Sequence, residues 1–162
     1  MAFPTTVYLS YGMEKVETSA QKQKLGTRAE LPDGRVFYYA KEDGTGIASA
    51  GFIVDGVGLV AAHDMDIAPT AAHSVGDTTI SLEVPTTDLT KDQYADGYLV
   101  FNDEGGEGEV YRIKSHPAHD ASADNTVIIT IDEPDGIRTA LTTDTEAQLV
   151  YNPYTNIKLI DG

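Results

Sequence analysis

Between residues 97 and 116, two runs rich in β-branched and aromatic residues flank one glycine-rich acidic loop, a pattern that few structures other than a β-hairpin accommodate. Tyr98, Val100, Phe101, Val110, Tyr111 and Ile113 suit a pleated, half-buried surface, and Gly105, Gly106 and Gly108 offer the positive φ angles by which a chain reverses. The sequence beyond about residue 75 reads as elements arranged around this hairpin. Residues 79–84 alternate, with Ile80, Leu82 and Val84 on one face, and residues 126–131 repeat the pattern with Val127, Ile129 and Ile131. Residues 147–151 supply a last strand before Pro153, and Pro134-Asp135-Gly136 is turn chemistry. Thr90 with Gln93 matches a capping box, which predicts a short helix ended by Gly97. The expected fold is therefore all-β, a small antiparallel barrel or sandwich.

The amino-terminal part differs in character. Phe3, Val7, Tyr8, Leu9 and Tyr11 are apolar enough to require burial, yet Pro4 makes the start extended and no partner strand lies close in sequence. Residues 13–25 are too sparsely apolar for an amphipathic helix, so residues 1–25 are expected to be an extended arm. Leu31-Pro32-Asp33-Gly34-Arg35 predicts a tight hairpin turn leading into Val36, Phe37, Tyr38 and Tyr39. Consecutive aromatics there imply cover on both faces, from the body or from a neighbouring subunit. Residues 44–72 turn to glycine, alanine and small apolar residues, which fits a buried strand pair turning near Asp55-Gly56, a segment packed at a subunit contact, or an irregular connection. The expected division is arm 1–25, hairpin and connecting segment 26–75, and β-body 76–162.

With 162 residues the chain can build one real core but not two ordinary domains. Without cysteine it has no disulfide, thiolate metal site or cysteine nucleophile. No apolar run approaches the ~20 residues of a membrane-spanning helix, and the start lacks the pattern of a signal peptide. A net charge of −15 argues against nucleic acid, because phosphate binding requires a basic face. The charge is uneven: residues 1–41 hold six of the eleven basic and four of the 26 acidic groups, a net of +2, against −17 for the remainder. Lys15, Lys22, Lys24 and Arg28 thus give the front segment a basic leaning that suits an acidic partner, although uneven solvation alone would also produce it.

Candidate chemistry is thin. His116 and His119 beside Asp120 are metal-ligand types but flank Pro117 in a loop, not on one helix face, with no further ligand at a matching spacing; His63 with Asp64, Asp66 and His73 reads as a solvated loop. The loop at 103–109 offers the oxygen ligands calcium prefers, yet lacks the EF-hand spacing, and a solvated hairpin tip is the better reading. There is no Walker loop, dinucleotide fingerprint or Gly-x-Ser-x-Gly elbow. No enzyme activity, cofactor or metal is expected.

Residues 31–40, residues 97–102 with 106–115, and Asn152-Pro153-Tyr154, taken in that order, resemble a family of tailed-phage virion proteins encoded near a major capsid protein. The likeness covers most of the chain and lies in the order of the motifs, none of which is catalytic. It implies a capsid decoration, or cement, protein: a small β-rich oligomer, with a trimer favoured, made in the host cytoplasm and bound on the capsid exterior to the major capsid protein. Under that implication the contacts to capsid or neighbouring subunit would fall to Phe3, Val7, Tyr8, Leu9, Tyr11, Lys15, Lys22, Lys24, Arg28, Phe37, Tyr38 and Tyr39. A head–tail connector or tail protein would share the composition, and a glycan- or ion-binding module would use the acidic loop or exposed tyrosines.

Overall fold

The computed structural model describes residues 6–44, 54–64 and 66–159. Its elements in chain order are β1 (Val7–Tyr8), a 3-10 turn (Met13–Lys15), β2 (Arg28–Glu30), β3 (Val36–Tyr38), β4 (Val54–Asp55), α1 (Ala61–Asp64), β5 (Thr79–Glu83), β6 (Tyr98–Asp103), β7 (Val110–Ser115), β8 (Thr126–Ile131), β9 (Glu146–Val150) and β10 (Lys158–Leu159). The fold is all-β, as expected, and divides into two compact units, residues 58–152 and residues 1–57 with 153–162. The division differs from the boundaries expected at 25 and 75. The segment before β5 is hydrogen-bonded into the body, and residues 153–159 belong with the first unit.

In the body, all five expected strands form one antiparallel sheet in the order β5-β8-β7-β6-β9. Period-two alternation sends Ile80, Leu82, Leu99, Phe101, Tyr111, Ile113, Val127 and Ile129 to one face, where each is essentially inaccessible. Ile67, Leu89, Tyr94, Ile137 and Leu141, all from connections, join the same buried cluster, so loops complete the core in place of a second sheet. The strands make no closed barrel, because β5 and β9 do not pair. Residues 67–70 instead bridge to both edges: Ile67 exchanges backbone hydrogen bonds with Ala147, while Thr70 N–H donates to Ser81 O and Glu83 N–H to Ala68 O. Covering both edges in this way removes the open ladder on which another chain could aggregate.

The central hairpin forms, and β6 shifts register between Phe101 and Asp103 on its other edge, where it pairs with β9. Glu104, Gly106 and Gly108 take the positive φ angles of its turn, whereas Gly105 does not. Gly105 is required for space, since a Cβ there would lie 2.8 Å from Ala140 O. The helix expected after Thr90 is absent. Gln93 Oε1 does accept from Thr90 N–H at 2.9 Å, half of a capping box, but Asp92 and Asp96 adopt left-handed φ angles of 57° and 62° that convert the stretch into consecutive turns.

In the other unit, β1 pairs parallel with β2 and β2 antiparallel with β3. The distant partner needed by the arm is thus residues 28–30. The turn between β2 and β3 follows its sequence chemistry: Gly34 N–H donates to Leu31 O at 2.9 Å, Gly34 has φ 83°, and Asp33 Oδ1 accepts from Arg35 N–H. Val54–Asp55 is no turn but pairs with Lys158–Leu159, and the second strand expected after it does not form: residues 57–60 are irregular and Ala61–Asp64 is helical, while residues 45–53 of the expected first strand lie outside the described residues.

Candidate interaction surface

Leu25 and Leu31 are the buried apolar side chains among the described residues of the first unit, against seventeen in the core of the body. The unit exposes what it does not bury. Tyr8 is 80% accessible, Tyr11 62%, Val16 57%, Met13 51%, Tyr38 49% and Val36 39%. The sheet register explains part of this: Ala29 opposes both Val7 and Phe37, while Tyr8 opposes Glu30 and Tyr38 opposes Arg28. Val36 and Tyr38 therefore share one face of β3 and Phe37 takes the other, half-buried one. The cover on both faces that the aromatic run implied is only partial, since Val36 and Tyr38 stay exposed.

Of the residues expected to make contacts, Phe3 lies outside the described residues. Val7, Leu9, Phe37 and Tyr39 are half-buried, whereas Tyr8, Tyr11, Tyr38, Lys15, Lys22 and Lys24 are exposed. Arg28 is committed within the unit, donating from Nη1 to Glu30 Oε2 at 2.7 Å and to Thr6 Oγ1 at 3.2 Å. Its charge is consequently offset by Glu30. Tyr39 is also committed, its hydroxyl accepting from Lys22 N–H at 3.0 Å. Tyr38 stacks on Tyr154 with ring centroids 5.3 Å apart. That partner lies over a hundred residues along the chain, and no local pattern in the sequence announces the pairing.

His63, in α1, and half-buried His73, bridged to Leu141, are not in a solvated loop, and the loop that holds His116 and His119 buries both of them. His63 is inaccessible, and His116 and His119 are 3% and 7% exposed; the rings of His63 and His116 lie against buried Tyr94. Tyr94 N–H donates to His116 Nε2 at 3.1 Å, and His116 Nδ1 faces Pro117 O at 2.8 Å. A backbone N–H only donates and a carbonyl only accepts, so the His116 ring is neutral with its proton on Nδ1. His63 Nδ1 meets the Tyr94 hydroxyl at 2.8 Å, and His119 Nε2 donates to Val84 O at 2.8 Å. Among the described residues no group of three or more histidine or carboxylate side chains is arranged to hold a metal.

Ser81, His73 and Asp77 form a chain with the residue order of a hydrolase triad. Ser81 Oγ is 3.1 Å from His73 Nε2, and His73 Nδ1 is 3.5 Å from Asp77 Oδ2. The Ser81 backbone N–H, however, donates to the same Nε2 at 3.0 Å. That nitrogen has one lone pair, so in this arrangement it serves the amide at the sheet edge and is not free to take the hydroxyl proton.

At the acidic loop, Glu109 is already engaged: the Tyr111 hydroxyl donates to its Oε2 and the Thr139 hydroxyl to its Oε1 at 2.8 Å. Asp103, Glu104 and Glu107 are exposed. Burial and the adjacent Glu109 push the Tyr111 hydroxyl above its usual range, which keeps it a donor. Millimolar calcium should accordingly leave the melting temperature unchanged in differential scanning calorimetry. A rise of ~2 °C or more would show that the loop binds the ion. Comparison of the chain with models of known protein families, with curated proteins and with solved structures finds no match to any of them.

Proposed function

We propose that this protein is a capsid decoration protein of a tailed phage, attached to the major capsid protein through the arm and hairpin unit and presenting its acidic body to solvent. The observation that carries the reading is the contrast between the units: the body completes a core, while residues 6–38 expose six large apolar side chains over two buried leucines. Apolar surface of this extent on a small unit marks a binding face, and a unit with so few buried side chains gains its stability by association. The order of motifs shared with tailed-phage virion proteins supplies the kind of partner. Self-association, with a trimer favoured, fits the same face, because cyclic symmetry repeats one contact. A head–tail or tail structural protein is the second reading, favoured by the same exposed face.

The test is reconstitution. Purified protein is mixed with capsids lacking it and occupancy is read by electron cryomicroscopy. Wild-type protein should occupy a regular site on the capsid exterior, and a variant lacking residues 2–12 should bind nowhere. Added salt should weaken attachment only modestly, because exposed ion pairs contribute about 0–1 kcal/mol each whereas each buried large apolar side chain contributes about 1.5–3 kcal/mol. Density at a portal vertex or tail in place of the shell would favour the second reading. Undiminished occupancy by the truncated protein would move the anchor to the body.

A further inference from the structure

Independently of the partner, the cluster around Tyr94 ties together four separate pieces of the body: α1 through His63, the turns at 90–97 through Tyr94, the connection at 116–119 through His116 and His119, and the end of β9 through Tyr151. The Tyr151 ring stacks on Tyr94 at 4.3 Å, and its hydroxyl accepts from Gln93 Nε2 at 2.6 Å. Two reciprocal backbone contacts reinforce the junction. Asp92 N–H donates to His116 O while His116 N–H donates to Asp92 Oδ1, and Leu89 and His119 exchange both of their backbone bonds. Almost every polar atom here is used in the neutral form of the rings.

We propose that this histidine–tyrosine cluster is an acid-sensitive latch, in which protonation of His116, assisted by His63, releases α1, the turns at 90–97 and the 116–119 connection while the five-stranded sheet stays paired. The decisive contact is Tyr94 N–H to His116 Nε2. A protonated ring carries hydrogen on both nitrogens, so Nε2 would present a donor to a donor and the contact must open. His63 is less constrained at Nδ1, where the Tyr94 hydroxyl can rotate, but its charge would be buried among His116 and His119.

The charged and titratable groups facing the cluster are few. Asp92 in the turns favours a charged His116, whereas Lys91 lines with His116 a shallow cleft of about 360 Å³ that gives solvent a route to the ring. Asp64 on α1 and Tyr151 at the end of β9 act on Tyr94, and Asp120 interacts with His119. Burial outweighs the favourable partners. It holds the His116 ring below the usual 6.5 against the pull of Pro117 O and Asp92, and holds His63 below it against the pull of Thr87 O. The unfolded or opened segment therefore binds protons first. The latch is fully closed above about pH 6.5, and its contribution is lost as pH falls below that value.

Hydrogen exchange read by mass spectrometry at about pH 7.5 and about pH 5.5, corrected for intrinsic rates, tests this in the wild-type protein. Exchange within residues 61–64, 87–97 and 116–119 should rise by up to about tenfold per pH unit for each histidine involved, while β5 to β9 keep their protection. His116→Gln presents a non-titrating acceptor to Tyr94 N–H, and with His63→Gln it should abolish the response. Unchanged protection at the lower pH, uniform loss across the sheet, or a full response in the double variant would each overturn the proposal. Should the double variant fail to fold, imidazole NMR of the wild type decides: midpoints below 6.5 that coincide with opening support the latch, and midpoints at or above 6.5 sink it.

Discussion

Replacing Gly136 by alanine should destabilise the body by roughly 2–5 kcal/mol and lower its melting temperature by about 10–30 °C. Gly136 N–H donates to Glu133 O in the Pro134-Asp135 turn, and its φ of 69° costs any other residue about 1–2 kcal/mol. A Cβ there would also overlap the backbone carbonyl group of Gly76 and come within 2.7 Å of Asp77 O. Neither neighbour is a flexible side chain. Both belong to the segment that holds Ile137 in the core, through Ile137 N–H to Asp77 O and Gly76 N–H to Ile137 O, each 2.9 Å. Gly34→Ala is the matched control, with a φ of 83° and nothing within 4 Å of the new Cβ, so it should cost only the backbone strain. Thermal melts of the two variants separate the terms, and equal losses would show that the approach of residues 76 and 136 is not tight.

Changing Tyr8 and Tyr38 together to serine should leave the melting temperature within about 2–4 °C of wild type and, under the proposed decoration function, reduce capsid attachment by a factor of 30 or more, roughly 2 kcal/mol. Within the chain Tyr8 is 80% exposed, so its ring contributes little to stability, and the stack of Tyr38 on Tyr154 is its main contact. At an interface, by contrast, aromatic side chains are the usual anchors, because they bury a large area at small entropic cost. The measurement pairs a thermal melt with an occupancy titration on capsids. A large loss of stability without loss of attachment would mean that the tyrosines serve the fold of the unit and that the binding face lies elsewhere.

Strand positions were legible because alternation is a local signal. Ile80, Leu82, Val84, Val127, Ile129 and Ile131 are each within a few per cent of complete burial, on the face their spacing assigns. Turn chemistry was legible for the same reason at residues 31–34 and 133–136, where proline, aspartate and glycine act on their own backbone. The helix after Thr90 was misread because a capping pair records what starts a helix and not whether its next residues continue one; Asp92 and Asp96 leave the helical region. His63 was misread as solvated, and the burial of His116 and His119 was not legible, because burial of a polar side chain depends on partners that arrive from elsewhere. Tyr94 reaches His63 and His116 across 31 and 22 residues.

The sequence by itself determined the class of fold, the five strands of the body, its tight turns and the excess of apolar residues near the start, since each follows from periodicity or from the backbone preferences of a few neighbours. Only the tertiary structure decided the strand order, the bridging of both sheet edges by residues 67–70, the unit to which residues 153–159 belong, the pairing of Tyr38 with Tyr154 and the neutral state of His116. These depend on which distant groups meet. A backbone amide or a ring nitrogen carries the same local preference whatever partner it finds, and the partner is selected by packing of the whole chain.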